Sequence, residues 1–454
     1  MSVVVKKRTG QLPDFWDRSI IFFANVLSIF FENCGEIENL KNEIEGLETY
    51  GGRLIPIIDI LFRGQNNLLV LEKPPDETLM NYFQEVLGLS LPDIVIVPHS
   101  DYITILPNVD KMDVEEINSS LASICRHDAE WIDGFVSDSV LIQVAKALNK
   151  LTISSLEGSR KGNNKFLLHR YLSEKGYPVF DTFSASAPGD VSSCVTLLRN
   201  KGYKEVVVKA QIGASGIGMI KLPTASFRTK DIPEHIFFEG PCMVQGWLDG
   251  TAENVRHLGS PSVQMFLDEE TVTLYDITEQ ILSGDSIHEG NLSPPPYFSP
   301  GDYIYEELLR QSTSAAAWLH DQGYRGTASI DFLVVDRLGA FEVRACEINA
   351  RVTGATYPSV LSRHFMPHGA WVMRNLRFIL PLRDTSILER LEEAGKLFHR
   401  GFKRGIIPVN FNLDEKSGIQ KGQFLCLGSD LEDCLRLFKE IESILPVRWF
   451  YDRD

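Results

Sequence analysis

Two short runs carry the residue types best suited to chemistry: Ser329-Ile330-Asp331-Phe332-Leu333 and Glu347-Ile348-Asn349-Ala350-Arg351. The first belongs to an apolar, β-branched stretch, Ala328 to Val335. Asp336-Arg337-Leu338-Gly339 reads as a turn, and Phe341 to Ile348 as a returning strand. Side chains alternate across a strand, so Glu347 and Asn349 share one face, with Cys346 and Ile348 on the other. A turn centred near Leu338 sets Asp331 opposite Ala345 and diagonal to Glu347. Three oxygen-bearing side chains on one hairpin face suit Mg²⁺ carrying a substrate phosphate. Arg351, two residues on, suits a phosphoryl group in transit. The competing structural reading pairs Asp331 and Glu347 with Arg337 and Arg344 as ordinary ion pairs.

A second candidate is Gly213-Ala214-Ser215-Gly216-Ile217-Gly218. Glycines let backbone N–H groups approach phosphate oxygens. The flanks, Glu205 to Ala210 and Met219 to Leu222, both read as strands. The loop is therefore a hairpin tip, unlike a P-loop or a dinucleotide fingerprint, each of which opens a helix. A mobile flap over a triphosphate fits, and Lys209, at the end of the apolar strand, would bring an ammonium to it. Upstream, Gly162-Asn163-Asn164-Lys165 precedes a helix, Phe166 to Lys175, stopped by Gly176. Downstream, Pro241 to Asp249 reads as a strand breaking into a connection that could present backbone groups to an adenine edge.

These motifs need elements to position them, and the chain is long enough to supply two or three cores: 454 residues, 44% hydrophobic. Residues 1 to about 150 alternate strand and helix signals. Ile20 to Phe23, Leu54 to Ile58, Leu68 to Leu71 and Ile94 to Val97 read as buried strands; Glu77 to Leu87 and Val114 to Ala122 have helical spacing. This pattern predicts a parallel α/β layer. The segments from about 151 to 384 and from about 385 to 454 follow, the last with two strands and an amphipathic helix, Leu431 to Leu445. A net charge of −16 offers no basic field for nucleic acid. Seven scattered cysteines without CxxC spacing fit a reducing cytosol and no zinc site. The apolar run Ile20 to Phe31 follows Lys6-Lys7-Arg8, yet it is too short to span a bilayer and has no cleavage site. The expectation is a soluble, cytoplasmic protein with no membrane partner.

In order, the chain has a lysine before a helix, a strand lysine with a glycine flap, a hinge strand, then Asp and Glu-x-Asn-x-Arg. Over roughly 155 to 365 it resembles the ATP-grasp superfamily. The resemblance implies an N-terminal α/β pre-ATP-grasp domain (1-150), a two-subdomain α+β ATP-grasp fold (151-384, divided near 243/244) and a small C-terminal α+β segment (385-454). It implies that Lys165 and Lys209 contact ATP phosphates under Gly213, Ser215, Gly216 and Gly218. Gln245, Gly246, Trp247 and Leu248 become the adenine hinge, and Asp331, Glu347 and Asn349 the Mg²⁺ ligands. Arg351 and Lys209 would be catalytic, steadying the transferred phosphoryl group. Asp249 and Glu253 compete to hold the ribose, because Thr251 to Pro261 looks like an irregular insertion.

Glu48 to Arg53, Lys161 to Lys165, His288-Glu289-Gly290-Asn291 and Gly405 to Val409 are similar to segments of the pheganomycin-type peptide ligases. That likeness implies peptide or aminoacyl amide formation from amino acids or peptides, through an acyl phosphate. Transfer to a carrier-protein thiol and a non-catalytic nucleotide-binding role are the alternatives, and a homodimer is left open. His288 and Asn291, expected in a polar loop, and Thr353 and Gly354 are the substrate-side candidates. Arg363 and His364 could read a substrate carboxylate, and the cluster Lys396, His399, Arg400, Lys403 and Arg404 could meet an acidic carrier or be a solvated helix face.

Overall fold

The computed structural model describes residues 3–43, 46–113, 117–214, 216–248, 254–283, 287–414 and 418–449. Three sheets organise it. The first is parallel, in the order Asp93–Ile96, Leu68–Leu71, Ile20–Phe23, Trp131–Gly134, Leu151–Thr152. Its central strands are apolar at every position because both faces are covered. Ile21, Phe23, Leu68 and Val70 feed one core, while Ile20, Phe22, Leu69 and Leu71 feed another on the opposite side. The run Ile20 to Phe31 is thus a buried strand followed by a short 3-10 helix, Val26–Phe30. Among the described residues no helix is long and apolar enough to cross a membrane.

One expected strand of this layer is not a strand. Leu54 to Ile58 lies between a 3-10 helix, Leu47–Leu54, and a short helix, Ile58–Leu61. The run is buried all the same, with Leu54, Ile57 and Ile58 all at 0% exposure. Five apolar residues carry too little periodicity to separate strand from buried helix, and Pro56 cannot donate to a ladder. The helix expected from Val114 begins later, at Ser119–Arg126, where the Asn118 side chain accepts from the Leu121 N–H. Val114 itself lies outside the described residues.

The second sheet is antiparallel, in the order Thr182–Ala185, Cys242–Gly246, Glu205–Ala214, Ile217–Pro223. Val206, Val208 and Val244 bury one face under the helix Pro188–Asn200, leaving Val207, Lys209 and Gln211 on the other. The third sheet has 11 strands and runs from Val255–Gly259 through Gly326–Arg337, Pro261–Leu267, Thr271–Ser283, Ile287–Ser293 and Ala370–Leu382 to Gly418–Gly428 and Gly405–Asp414. Residues from both chain ends join it: Val4–Lys7 lies parallel to Thr271–Leu274, and the last hairpin continues from Ala370–Leu382. The expected irregular insertion after Thr251 is largely regular, since Val255–Gly259 and Pro261–Leu267 are strands of this sheet. The isolated sequence hides this because Gly259 and Ser260 interrupt the alternation where the register shifts. The metal-candidate hairpin on the third sheet faces the lysine-bearing face of the second, and the cleft between them is the candidate site.

Candidate active site

The hairpin Gly326–Arg337 and Ala340–Asn349 turns through Leu338 and Gly339, both with positive φ (55° and 85°). Its register differs from simple alternation. Arg337 pairs with Ala340 and Phe332 with Ala345, but Asp331 pairs with Glu347, leaving Cys346 as an extra residue. This β-bulge inverts the alternation. Val343 and Ala345 point into the core under the helix Tyr303–Asp321, and after the bulge Ile348 does so. Glu347 and Asn349 therefore join Arg344 and Cys346 on the cleft face. Asp331 is not diagonal to Glu347 but directly opposite it, and Cys346 is not on the far face. The Asn349 amide donates to Asp331 at 3.1 Å.

The alternative ion pairs do not form. Arg337 and Arg344 both bind Glu342, at 3.1 and 2.7 Å. Glu347 instead meets Lys165 Nζ at 2.9 Å, and the same ammonium donates to the Gly213 carbonyl at 2.8 Å. Lys165 opens the helix Lys165–Glu174, whose N-cap is Asn164; one lysine thus links that helix, the glycine flap and the acid pair. Burial and the facing Glu347 push the Asp331 carboxyl up to about 7. Burial opposes Glu347 as well, but the Lys165 ammonium and ion-pair hydrogen bond outweigh it and hold this carboxylate low. Two carboxylates and an amide crowded in a buried cleft form a hard-oxygen set with an unmet demand for positive charge, which fits Mg²⁺. Among the described residues no group of three His, Cys, Asp or Glu side chains could hold a metal by itself, so phosphate or water oxygens would have to complete the shell.

Lys209 is not at a strand end: Glu205–Ala214 continues past it. It nevertheless faces the cleft, where burial lowers its pKa and the neighbouring Cys346 and Glu347 act to raise it. Arg351 is buried and donates to the side chain of Asn163, whose own amide donates to the Ala350 carbonyl at 3.2 Å. Asn163 was overlooked as a site residue; its place in the Gly-Asn-Asn-Lys run was the available signal.

The flap hairpin pairs Ala214 with Ile217, with Gly216 at φ 82° and Gly218 at φ 78°. A Cβ on Gly213 would meet the Ile217 carbonyl oxygen at 2.6 Å, so that backbone approach requires glycine. Ser215 lies outside the described residues. Ile212, Ala214 and Ile217 are buried in the same core as Leu27, Phe30 and Phe31. The flap expected to be mobile is docked on the N-terminal layer.

An apolar cluster lies beyond Lys209, whose ammonium is 5.9 Å from the Phe180 ring centre. Phe180, Leu248, Val255 and Val335 form it, with Leu333, Tyr203 and Cys346 packed against them. Of the expected hinge, Leu248 belongs to this cluster. The Gln245 side chain donates to Thr182 at 2.9 Å, the Gly246 N–H to the Asp181 carbonyl and the Trp247 N–H to the Glu205 carbonyl, while the Trp247 ring lies 5.0 Å from the Lys221 ammonium. Asp249 and Glu253 lie outside the described residues. Phe180, Leu333 and Cys346 were not anticipated, because only the meeting of two sheets brings them together.

On the other side of Arg351, His288 and Asn291 lie on a strand, Ile287–Ser293, not in a loop. Their side chains meet at 2.9 Å, and a Cβ on Gly354 would reach His288 at 3.2 Å. Thr353 starts the helix Thr356–Phe365 through a hydrogen bond from its N–H to Thr356 Oγ1 at 2.9 Å. Burial keeps the His288 imidazole below its usual pKa, with Arg53 and Arg374 adding to the effect. Arg363 is not a substrate reader: it is 4% exposed and bonded to Asp276 at 2.8 Å. Burial lowers the neighbouring His364 pKa, and its ring packs edge-on against Phe365 at 4.9 Å. Three members of the basic cluster have acidic neighbours: Lys396 meets Glu440, His399 meets Glu392, and Arg404 meets Asp433. It lies in turns, not on a helix.

No family model matches the chain. A curated relative from Niallia circulans, [butirosin acyl-carrier protein]–L-glutamate ligase, is 25% identical over 312 residues, covering 66% of each chain. Among solved structures, biotin carboxylase from Campylobacter jejuni, as a β,γ-ATP complex, superposes with TM-score 0.57 at 13% identity, over 95% of this chain and 92% of that one. Carboxyaminoimidazole ribonucleotide synthase from Aspergillus clavatus, complexed with ATP, gives TM-score 0.55 at 14% identity over 95% and 99%. N5-carboxyaminoimidazole synthetase from Staphylococcus aureus, complexed with ADP, gives 0.54 at 13% over 94% and 98%. The chain thus shares, almost end to end, the fold of biotin carboxylase and of the carboxyaminoimidazole ribonucleotide synthases.

Proposed function

We propose that the protein joins a carboxylate to an amine at the expense of ATP, forming a peptide-type amide through an acyl phosphate and releasing ADP and phosphate. The observation that carries this is the bulged hairpin: Asp331 opposite Glu347, Asn349 bonded to Asp331, and Lys165 on Glu347. A protein that only sensed nucleotide would not need this acid pair, and Arg351 is present beside it as well.

ATP would lie with its base against the apolar side chains of Phe180, Leu248 and Leu333, and its phosphates between Lys165, Lys209 and the flap. Asp331, Glu347 and Asn349 would hold Mg²⁺, which when bound neutralises charge on the β- and γ-phosphates. A substrate carboxylate oxygen then attacks the γ-phosphorus and ADP leaves. Lys165, Lys209 and Arg351 supply a fixed positive field where charge gathers, and each such contact is worth about a hundredfold or more in rate. The docked flap excludes water from the acyl phosphate. The amine attacks the acyl carbon, the C–O bond to phosphate breaks, and the departing phosphate takes up the amine proton. His288, Asn291, Thr353 and Gly354 border the space where the substrates would meet.

Transfer to a carrier thiol is the second reading, favoured by the relative from Niallia circulans, whose name specifies an acyl-carrier protein and L-glutamate. The pheganomycin-type peptide ligases remain the subfamily most consistent with the Glu48–Arg53 and His288–Asn291 segments. Seven free cysteines are consistent with a reducing cytoplasm. The test is incubation with Mg²⁺-ATP and a panel of amino acids, dipeptides and organic acids. ADP is quantified, and products are sought by mass spectrometry. A mass equal to two panel members less water, formed with ADP, supports the ligase. AMP with pyrophosphate refutes the acyl phosphate. Turnover only on adding a carrier protein selects the second reading.

A further inference from the structure

The 3-10 helix Leu47–Leu54 belongs to the N-terminal layer, yet it is built to present one arginine to the ligase cleft. Its two glycines leave no slack. A Cβ on Gly51 would lie 2.7 Å from Ala24 and Leu71 of the parallel sheet, and one on Gly52 would lie 2.5 Å from Asn410 of the C-terminal hairpin. Asn410 donates to the Thr49 carbonyl at 3.3 Å, and the Thr49 hydroxyl donates to Asn412 at 3.2 Å. Both ends of the chain therefore clamp this turn.

The clamp fixes Arg53. Its guanidinium lies 3.7 Å from the Tyr50 ring centre and 5.6 Å from that of Tyr357. Tyr357 is buried on the helix that follows Thr353 and Gly354, and its hydroxyl accepts from Gln423 at 3.1 Å. Arg53 also acts on the His288 imidazole, and Tyr50 on the Arg351 guanidinium. Arg53 thus stands on the substrate side of Arg351. The other arginines nearby are engaged, Arg351 with Asn163 and Arg374 with Glu289 at 2.7 Å. Arg53 shares a side-chain hydrogen bond with Tyr357, but its Nε is buried without a hydrogen-bond partner, and the side chain has no carboxylate partner among the described residues. Stacking on tyrosine offsets part of that cost. A half-buried guanidinium held in a fixed place with an open N–H is arranged for a carboxylate brought from outside.

We propose that Arg53 binds a second, non-reacting carboxylate of the substrates, so that the enzyme selects an amino-acid acceptor with a free carboxyl end or a dicarboxylic acyl donor. This rests on the ligase reading, because it places that carboxylate across from the one activated beside Arg351. In this role Arg53 determines specificity and takes no part in phosphoryl transfer.

The test uses the full chain with Mg²⁺-ADP and, as probes, L-amino acids and dicarboxylic acids paired with their monoamides. Binding is read by calorimetry and turnover by ADP release. The wild type should prefer an acid to its amide by about tenfold to a hundredfold, as expected for a charge-assisted pair. Arg53→Gln should remove that preference without changing ADP affinity; Arg53→Lys should keep part of it. An acid whose α-amide is rejected identifies an acceptor, and a rejected side-chain amide identifies a dicarboxylic donor. Equal binding of acids and amides by the wild type, or an unchanged preference in Arg53→Gln, overturns the assignment. Preference lost in Arg53→Gln with no ADP release from any wild-type mixture leaves Arg53 standing and removes the ligase reading.

Discussion

Replacing Glu347 tests the centre of the reasoning. The side chain faces Asp331 across the bulge and holds Lys165 at 2.9 Å, with Lys165 spanning on to the Gly213 carbonyl. Glu347→Gln keeps an oxygen for Lys165 but removes one of the two negative charges on the metal face. Glu347→Ala also releases the lysine. Loss of one preorganised transition-state contact costs about 3–4 kcal/mol, or a hundredfold to a thousandfold. In the alanine variant, Lys165 loses its buried counter-ion as well, and breaking such a pair costs about 3–5 kcal/mol when nothing replaces it. Glu347→Gln should therefore lower kcat by about two to three orders of magnitude, and Glu347→Ala further, with a lower Tm for alanine only. The assay is ADP release over a Mg²⁺ titration, with thermal unfolding as the fold control. Glu347→Gln turning over within threefold of wild type at saturating Mg²⁺ would refute the metal hairpin.

Three other outcomes follow from the geometry. Deleting Cys346 removes the extra residue and leaves Ala345 followed directly by Glu347, so plain alternation keeps Glu347 and Asn349 on the cleft face opposite Asp331; the hairpin should fold and part of the turnover remain, and a variant that folds with no turnover would show that the bulge itself sets the site. Gly216 sits at φ 82° in open space, so Gly216→Val adds only backbone strain, about 1–2 kcal/mol. It should raise the KM for ATP and slow turnover, and unchanged kinetics would count against the flap. Glu279, bonded to the Ser260 N–H and Tyr297 hydroxyl, is pushed by burial from near 4.5 to about 7. Its stabilising contribution is complete below pH 4.5 and lost as pH rises through 7. Glu279→Gln should match wild type at pH 5 and unfold a few degrees higher at pH 8, on the order of 1 kcal/mol. Parallel pH curves for the two proteins would contradict this.

Local order along the chain carries the proposed chemistry. Asp331, Glu347, Asn349 and Arg351 suit a metal and a phosphate by type and spacing, and Gly213 to Gly218 suits a phosphate flap by its two flanking strands. Apolar runs such as Ile20 to Phe23 and Leu68 to Leu71 were legible because a strand covered on both faces has no polar positions. Side-chain period and backbone stereochemistry are local properties, and the chain states them directly.

Tertiary structure decided what depends on register and on the meeting of distant segments. The bulge at Cys346 cannot be seen in an alternating run, since one extra residue changes the facing of everything beyond it. Leu54 to Ile58 is a buried turn between two short helices, because only its neighbours settle how a short apolar run is buried. The cluster of Phe180, Leu248 and Leu333 exists only where two sheets face each other. Arg53 draws its position from residues on either side of it in space, Leu71 of the first sheet and Asn410 near the end of the chain. The sequence by itself determined which reactive groups are present. Burial, pairing and distance, which arise only on packing, determined which of them stand together and which charge was left for a substrate to meet.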